Sequence, residues 1–417
     1  MSMNLYREAQ ERYGEIGVDT DKAIRMLSQI PLSIHCWQGD DVIGFDGAAR
    51  LSGGILATGA YPGRARNAEE LRRDIETAFS LIPGTKRLNL HAMYAETNGE
   101  KVDRDQLEPK HFDGWLAWAK SLGIGLDFNP SFFSHPLAES GFTLAHADPS
   151  IRNFWVRHGI ASRQIAQYFA DELKDTVVNN LWVPDGYKDT PADRLGPRIR
   201  LQDSLDQIYH DSLPNDRVVD SVESKLFGIG SESYVAGSHE FYLGYAAKHA
   251  LGLCLDMGHF HPTEQIADKI SSVLLFIPKL VLHLSRGVRW DSDHIVVWND
   301  DISNVAHELA RIQAWDRVHL ALDYFDASIN RIGAWVIGAR SVQKALLSAL
   351  LEPSEILRNE ERHGSYFKRL AYLEESKSMP FSAVWNYYCE TENVPGNAIW
   401  IDSVLEYERL VLSKRES

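Results

Sequence analysis

Eight short apolar runs, each followed by a longer segment of helical period, constrain this chain more than any other feature. The runs are LSIHCW (32–37), RLNLHAMY (87–94), IGLDFNP (124–130), VVNNLWVP (177–184), RVVDSVESK (217–225), LGLCLDMGH (251–259), LVLHLSR (280–286) and RVHLALDY (317–324). Each has strand length and a surplus of aliphatic residues. Between them lie stretches such as NAEELRRDIETAFSLI and HFDGWLAWAKSL, whose apolar residues recur three and four apart. This alternation predicts a parallel sheet closed into an α/β (β/α)8 TIM barrel. The alternative is an open doubly wound sheet. It is disfavoured because the first run continues into QGDDVIGFDG, which lacks the GxGxxG spacing and opens no helix.

After the eighth run the period is helical throughout residues 327–417, with no strand signal. The expected division is a catalytic barrel with an N-terminal helix at 1–345 and a C-terminal helical extension at 346–417. The extension carries enough aromatic and aliphatic surface to pack on the barrel or on a neighbouring subunit. Helix-rich insertions near 95–115 and 130–175 enlarge the loops after strands two and three.

Charge and cysteine content narrow the function. A net charge of −15 excludes a phosphate-tracking surface, so no nucleic-acid partner is expected. Cys36, Cys254 and Cys389 are far apart and odd in number, which fits neither a disulfide framework nor a thiolate zinc site. Cys36 and Cys254 read as small core residues. No run approaches the roughly 18 apolar residues of a membrane span, and the N-terminal stretch is polar and helical, so a cytoplasmic enzyme is expected.

Barrel enzymes keep their chemistry at the C-terminal ends of the strands. Reading those ends in order gives His91, then Asp127 and Asn129, then Trp182 and Asp185. Glu223 and Lys225 end the fifth run, Asp256 and His259 the sixth, His283 the seventh and Asp323 the eighth. Taken singly, His283 fits a hydrogen-bonded core histidine, and Asp256 or Asp323 fits a helix cap. Glu223, Asp256, His283 and Asp323 on four successive strands instead point to an oxygen-rich site for a divalent ion. The following loops offer more. His259 and His261 lie in DMGHFHPTE, and Asp291 and Asp293 alternate in RWDSDH. His259, Asp291 and Asp293 form a second set, while His294 opens the apolar run HIVVW and reads as support. Lys225, two residues beyond Glu223, reads as a cation for a developing oxyanion. Tyr61, in the glycine-rich segment 53–70, is a weaker candidate for closing the site.

These stretches carry a resemblance. LSIHCWQGDDVIGF, GFTLAHAD, VESKLFGIGSESYVAGSHEFY, LDMGHFHPTE, VRWDSDH and LDYFDASINRI together resemble the bacterial L-rhamnose isomerases, in order and over essentially the whole chain. The resemblance implies a metal-dependent aldose–ketose isomerase interconverting L-rhamnose and L-rhamnulose, a cytoplasmic homotetramer using Mn2+ or, in its place, Co2+, Mg2+ or Zn2+. It implies two divalent ions per subunit. The structural ion falls on Glu223, Asp256, His283 and Asp323, and the catalytic one on His259, Asp291 and Asp293. His91, Trp182 and Lys225 fall where the family contacts sugar. A hydride shift from C2 to C1 is the expected route, with Asp323 and Lys225 moving the proton and steadying charge; proton transfer through an enediol is the alternative. A broad-specificity aldose isomerase or an epimerase of free sugars is the competing activity, and a sugar-binding scaffold the non-enzymatic one.

Overall fold

The computed structural model describes residues 2–47, 57–214, 216–225, 233–288 and 293–415. Eight parallel strands close into a barrel: β1 (Leu32–His35), β2 (Lys86–His91), β3 (Gly125–Asn129), β4 (Val177–Trp182), β5 (Val218–Glu223), β6 (Gly252–Asp256), β7 (Leu280–Leu284) and β8 (Val318–Leu322). Seven fall within one of the eight runs, and β2 begins one residue before its run. The ring shuts because β1 pairs on one side with β2 and on the other with β8.

Strand alternation explains why greasy runs carry polar residues. One face of each strand packs on the surrounding helices, and the other turns into the barrel. Val178, Val219, Cys254 and Val281 form an apolar cluster of their own, apart from the main core between sheet and helices. Two residues further along β4, β6 and β7, the same face presents Asn180, Asp256 and His283; β5 reaches Glu223 four residues beyond Val219. An apolar layer therefore underlies a polar one. Register completes the grouping, since Glu223 stands opposite Cys254, and His283 opposite Asp256.

The opposite side of the barrel has a different plug. Asp127 accepts from Ser33 Oγ at 2.6 Å and from Arg87 Nε and Nη2, both at 3.0 Å. Arg87 also donates to Asp175 and to the Thr176 carbonyl. Asp127, read from sequence as a strand-end residue, is thus a fully engaged ion-pair partner below the mouth, while Asn129, one layer higher on the same face, lines the cleft.

Helix Arg331–Leu350 is buried along most of its length and runs unbroken through residue 345. Its Trp335 Nε1 donates to the His35 carbonyl at 2.8 Å. The chain then adds helices Ser354–Arg362, Tyr366–Ser376, Phe381–Thr391 and Trp400–Leu410. The N-terminal helix Ser2–Glu15 meets this extension where the Tyr6 and Tyr387 rings stack at 3.8 Å. All three cysteines are buried and free. Among the described residues, no helix is long and apolar enough to cross a membrane.

Candidate active site

A cleft of about 580 Å3 opens at the C-terminal ends of the strands. Its wall includes His91, Trp182, Glu223, Lys225, His259, His283, Asp293 and Asp323, eight of the residues singled out from sequence. Below them, the ligand atoms of Glu223, Asp256, His283 and Asp323 all lie within 4.8 Å of one another. His283 Nδ1 is the hub, 3.0 Å from Asp323 Oδ2, 3.3 Å from Glu223 Oε1 and 3.7 Å from Asp256 Oδ2. Asp291 lies outside the described residues. Asp293 lines the cleft, and His259 Nδ1 approaches Glu223 Oε1 to 3.3 Å.

Three carboxylates gathered around one buried imidazole concentrate negative charge. Burial pulls the His283 imidazole down, but Cys254, Glu223 and Asp323 together hold its pKa well above the usual histidine range. Burial pushes Asp256 up to about 8, with Asp323 and Glu223 adding to the effect. Burial would also raise Asp323, yet the neighbouring His283 outweighs it and holds the carboxyl at about 2. Such a cluster is costly unless a cation neutralises it. Glu223 Oε1 and Asp256 Oδ2 are buried with no hydrogen-bond partner among the described residues, and both lie within 3.7 Å of His283 Nδ1. Orphaned ligand atoms that converge in this way fit a divalent metal ion.

Neighbouring donors aim these ligands. Asn180 Nδ2 donates to Glu223 Oε2 at 2.5 Å, which leaves Oε1 turned to the cluster. Trp37 Nε1 donates to Asp323 Oδ1 at 3.2 Å, leaving Oδ2 toward His283. The Gly258 amide donates to Asp256 Oδ1 at 2.6 Å, leaving Oδ2 free for the cluster. In each case one carboxylate oxygen is anchored and the other presented, as metal sites require of their supporting shell. Neither Trp37 nor Asn180 was singled out from sequence. Asn180 shares the inward face of β4 with Trp182, so alternation alone could have found it. Trp37 sits in the loop after β1, where no periodicity applies.

The remaining wall suits a small neutral polyol with an apolar edge. Lys225 Nζ lies 5.3 Å from the centre of the Trp182 ring. Trp182 Nε1 is a buried donor with no partner among the described residues. Burial holds His91 at about 4, so its ring is neutral at physiological pH. It packs edge-on against Trp37 at 4.7 Å and Phe133 at 5.4 Å, with Ser131 Oγ 3.3 Å from its Nδ1. Val42 and Phe325 add apolar surface.

Other sequence candidates lie elsewhere. Asp185 is buried and accepts from the Thr143 amide and hydroxyl and from the Ala145 amide, so it staples a loop. His294 bridges Arg286 through the backbone and stands 3.8 Å from Asp326, a supporting position. His261 Nδ1 meets Thr263 Oγ1 at 2.8 Å, outside the cleft. Tyr61 does not line the cleft; its hydroxyl donates to Glu408 at 2.8 Å. Cys254, read as core filler, comes close enough to Glu223 and His283 to share their cluster.

A family model described as L-rhamnose isomerase (RhaA) matches residues 1–415. The L-rhamnose isomerase of Yersinia pseudotuberculosis serotype IB (strain PB1/+) is 57% identical over 408 residues, covering 98% of this chain and 97% of its own. That of Yersinia pestis matches to the same extent, 57% over 408 residues. Among solved structures, an L-ribulose 3-epimerase is similar with a TM-score of 0.48 and 13% identity, over 79% of this chain and 96% of its own.

Proposed function

We propose a function from one premise: the chain belongs to the L-rhamnose isomerase family. The cleft interconverts L-rhamnose and L-rhamnulose, an aldose and a ketose that differ in whether C1 or C2 carries the carbonyl. The observation that carries this is the convergence of Glu223, Asp256, His283 and Asp323 at the base of a cleft whose wall also sets aromatic Trp37, Phe133 and Trp182 beside polar His91, Asn129 and Lys225. Those four would hold one divalent ion, and His259, Asp291 and Asp293 a second. The oxygen-rich sets favour Mn2+, with Co2+, Mg2+ and Zn2+ as substitutes. When bound, such ions supply Lewis acidity toward adjacent sugar oxygens.

The chain's own groups do the rest. His91 and Trp182 orient the opened sugar through its hydroxyls and one apolar face. Lys225, close to the Trp182 ring, steadies negative charge on O1. Hydrogen leaves C2 with its electron pair and bonds to C1, while Asp323 takes the O2 proton and returns it to O1, so the ketose forms with no net gain or loss of a proton. Solvent deuterium does not enter the C1 position on this route; substantial incorporation in D2O would replace it with an enediol and a protein base.

A homotetramer in the cytoplasm and the division into a barrel at 1–345 and an extension at 346–417 belong to the same proposal. Exposed Tyr366, Phe367 and Leu370 on one helix, and Ile401 and Leu405 on another, support self-association. The test of function is product identification from L-rhamnose. L-rhamnulose is expected. Only a C-epimerised aldose, or no product from any 6-deoxy or common aldose, would refute it.

A further inference from the structure

The C-terminal residues reach back to the wall of the cleft through a chain of polar contacts. Arg415 is buried; its Nη1 donates to Asp74 Oδ2 at 2.6 Å and to the Gly63 carbonyl at 3.0 Å. Its Nη2 donates to Asp74 Oδ1 at 2.8 Å, an oxygen that also accepts from Tyr407. Glu408 accepts from the Tyr61 hydroxyl and from Asn330 Nδ2. Gly63, with φ +84°, lies so close to Leu412 that an added Cβ would meet Leu412 Cβ at 2.7 Å. Residues 61–63 are therefore clasped from outside by residues 407–415.

The same short segment holds the cleft from inside. The Ala65 amide donates to the Gly39 carbonyl at 2.9 Å and the Tyr61 amide to the Ala327 carbonyl at 2.7 Å. Arg331 donates to the Pro62 carbonyl at 3.1 Å and to both Asp41 oxygens at 2.8 Å. Gly39 and Asp41 belong to the loop after β1, whose Trp37 and Val42 line the cleft; Ala327 follows Phe325, which lines it too. Gln38 joins the two loops directly by exchanging hydrogen bonds with the backbone of Asp326.

This wall needs holding. Asp41 and Val42 both have φ of +61°, the left-handed region, and Val42 is β-branched and buried. Two such residues in succession persist only where their surroundings over-determine them. Asp40 pins the turn on one side, accepting from the Tyr94 hydroxyl and the Gly44 amide, each at 2.7 Å. On the other side the Asp41–Arg331 pair and the 61–65 segment back it. We propose that Glu408 and Arg415 are positioning residues for the substrate cleft: acting through residues 61–65, they hold the strained Asp41–Val42 wall in the shape that receives the sugar. This rests on the cleft being the sugar site, as proposed above.

The test uses the full chain with Glu408→Gln, Tyr61→Phe and Arg415→Gln, each checked for an intact thermal melt. Glu408→Gln and Tyr61→Phe keep size and shape, so they report even if Arg415→Gln fails to fold. Amide hydrogen exchange across residues 36–45 is expected to quicken in Glu408→Gln and Tyr61→Phe. In the same variants KM for L-rhamnose is expected to rise about three- to tenfold with kcat within about twofold and metal content unchanged. Exchange at 36–45 identical to the parent would overturn the inference and reduce the tail to a stabilising cover. If the parent forms no ketose, the proposed function fails, and exchange at 36–45 alone still decides this one.

Discussion

Asn180 and Asp127 occupy equivalent inward faces of neighbouring strands, yet replacing them should do opposite things. Asn180 anchors Glu223 Oε2 and touches little else of consequence. Asn180→Ala is expected to weaken Mn2+ affinity about 10- to 100-fold with a nearly unchanged metal-free melt, read by titration calorimetry. Equal affinity in parent and variant would show that Glu223 is aimed by other means. Asp127 instead neutralises the buried Arg87. Asp127→Ala removes the buried one of the two carboxylates on that guanidinium and leaves only half-exposed Asp175, so it should cost about 1–3 kcal/mol of stability in denaturant unfolding, without changing the geometry of the metal site. Sequence placed Asp127 at a strand end and passed over Asn180, because one run alone does not tell floor from mouth. That distinction depends on barrel stagger, a property of pairing between strands rather than of any one run.

Among the elements, the strands were the most legible, because a parallel barrel buries both faces and leaves each strand as an unbroken apolar run punctuated by chemistry. Glu223, Asp256, His283 and Asp323 stood out as a set: His283, Asp256 and Asp323 each have a structural reading alone, but four ionisable groups ending four successive runs point to one site. Loops were less legible. Trp37 and Val42 act from a turn whose shape is set by Tyr94, through Asp40, and by Arg331, through Asp41, both far away in sequence. Helix-to-helix ion pairs were equally invisible. Glu352, after helix Arg331–Leu350, meets His307 and Arg311 of helix Asp300–Ile312 at 2.9 and 2.7 Å. Burial would raise its carboxyl, but hydrogen bonds from these two partners hold it at about 2, below the ordinary 4.5. A depressed carboxyl stabilises the fold fully above the unfolded pKa and loses that contribution as pH falls through the folded one. The parent should therefore lose melting temperature between about pH 4.5 and 2 more steeply than Glu352→Gln. Parallel acid profiles would contradict the pairing.

At the scale of the whole molecule, the proposed metal site would couple ion binding to folding, because a cation there would balance charge gathered by four strands. Saturating Mn2+ should raise the melting temperature of chelator-stripped protein, and EDTA should reverse the rise. The apolar side chains of Tyr366, Phe367 and Leu370 face outward, Phe367 being 84% exposed. On the proposed tetramer, Phe367→Asp is expected to lower the light-scattering mass below that of the parent; an unchanged mass would remove this helix from any interface. The metal dependence proposed for this cleft is tested by L-rhamnulose formation from L-rhamnose by chelator-stripped protein as Mn2+ is added back. No ketose is expected without metal, activity is expected to return with Mn2+, and Glu223→Gln is expected to show no recovery. Ketose formed at full rate by the metal-free protein, or by Glu223→Gln, would contradict it.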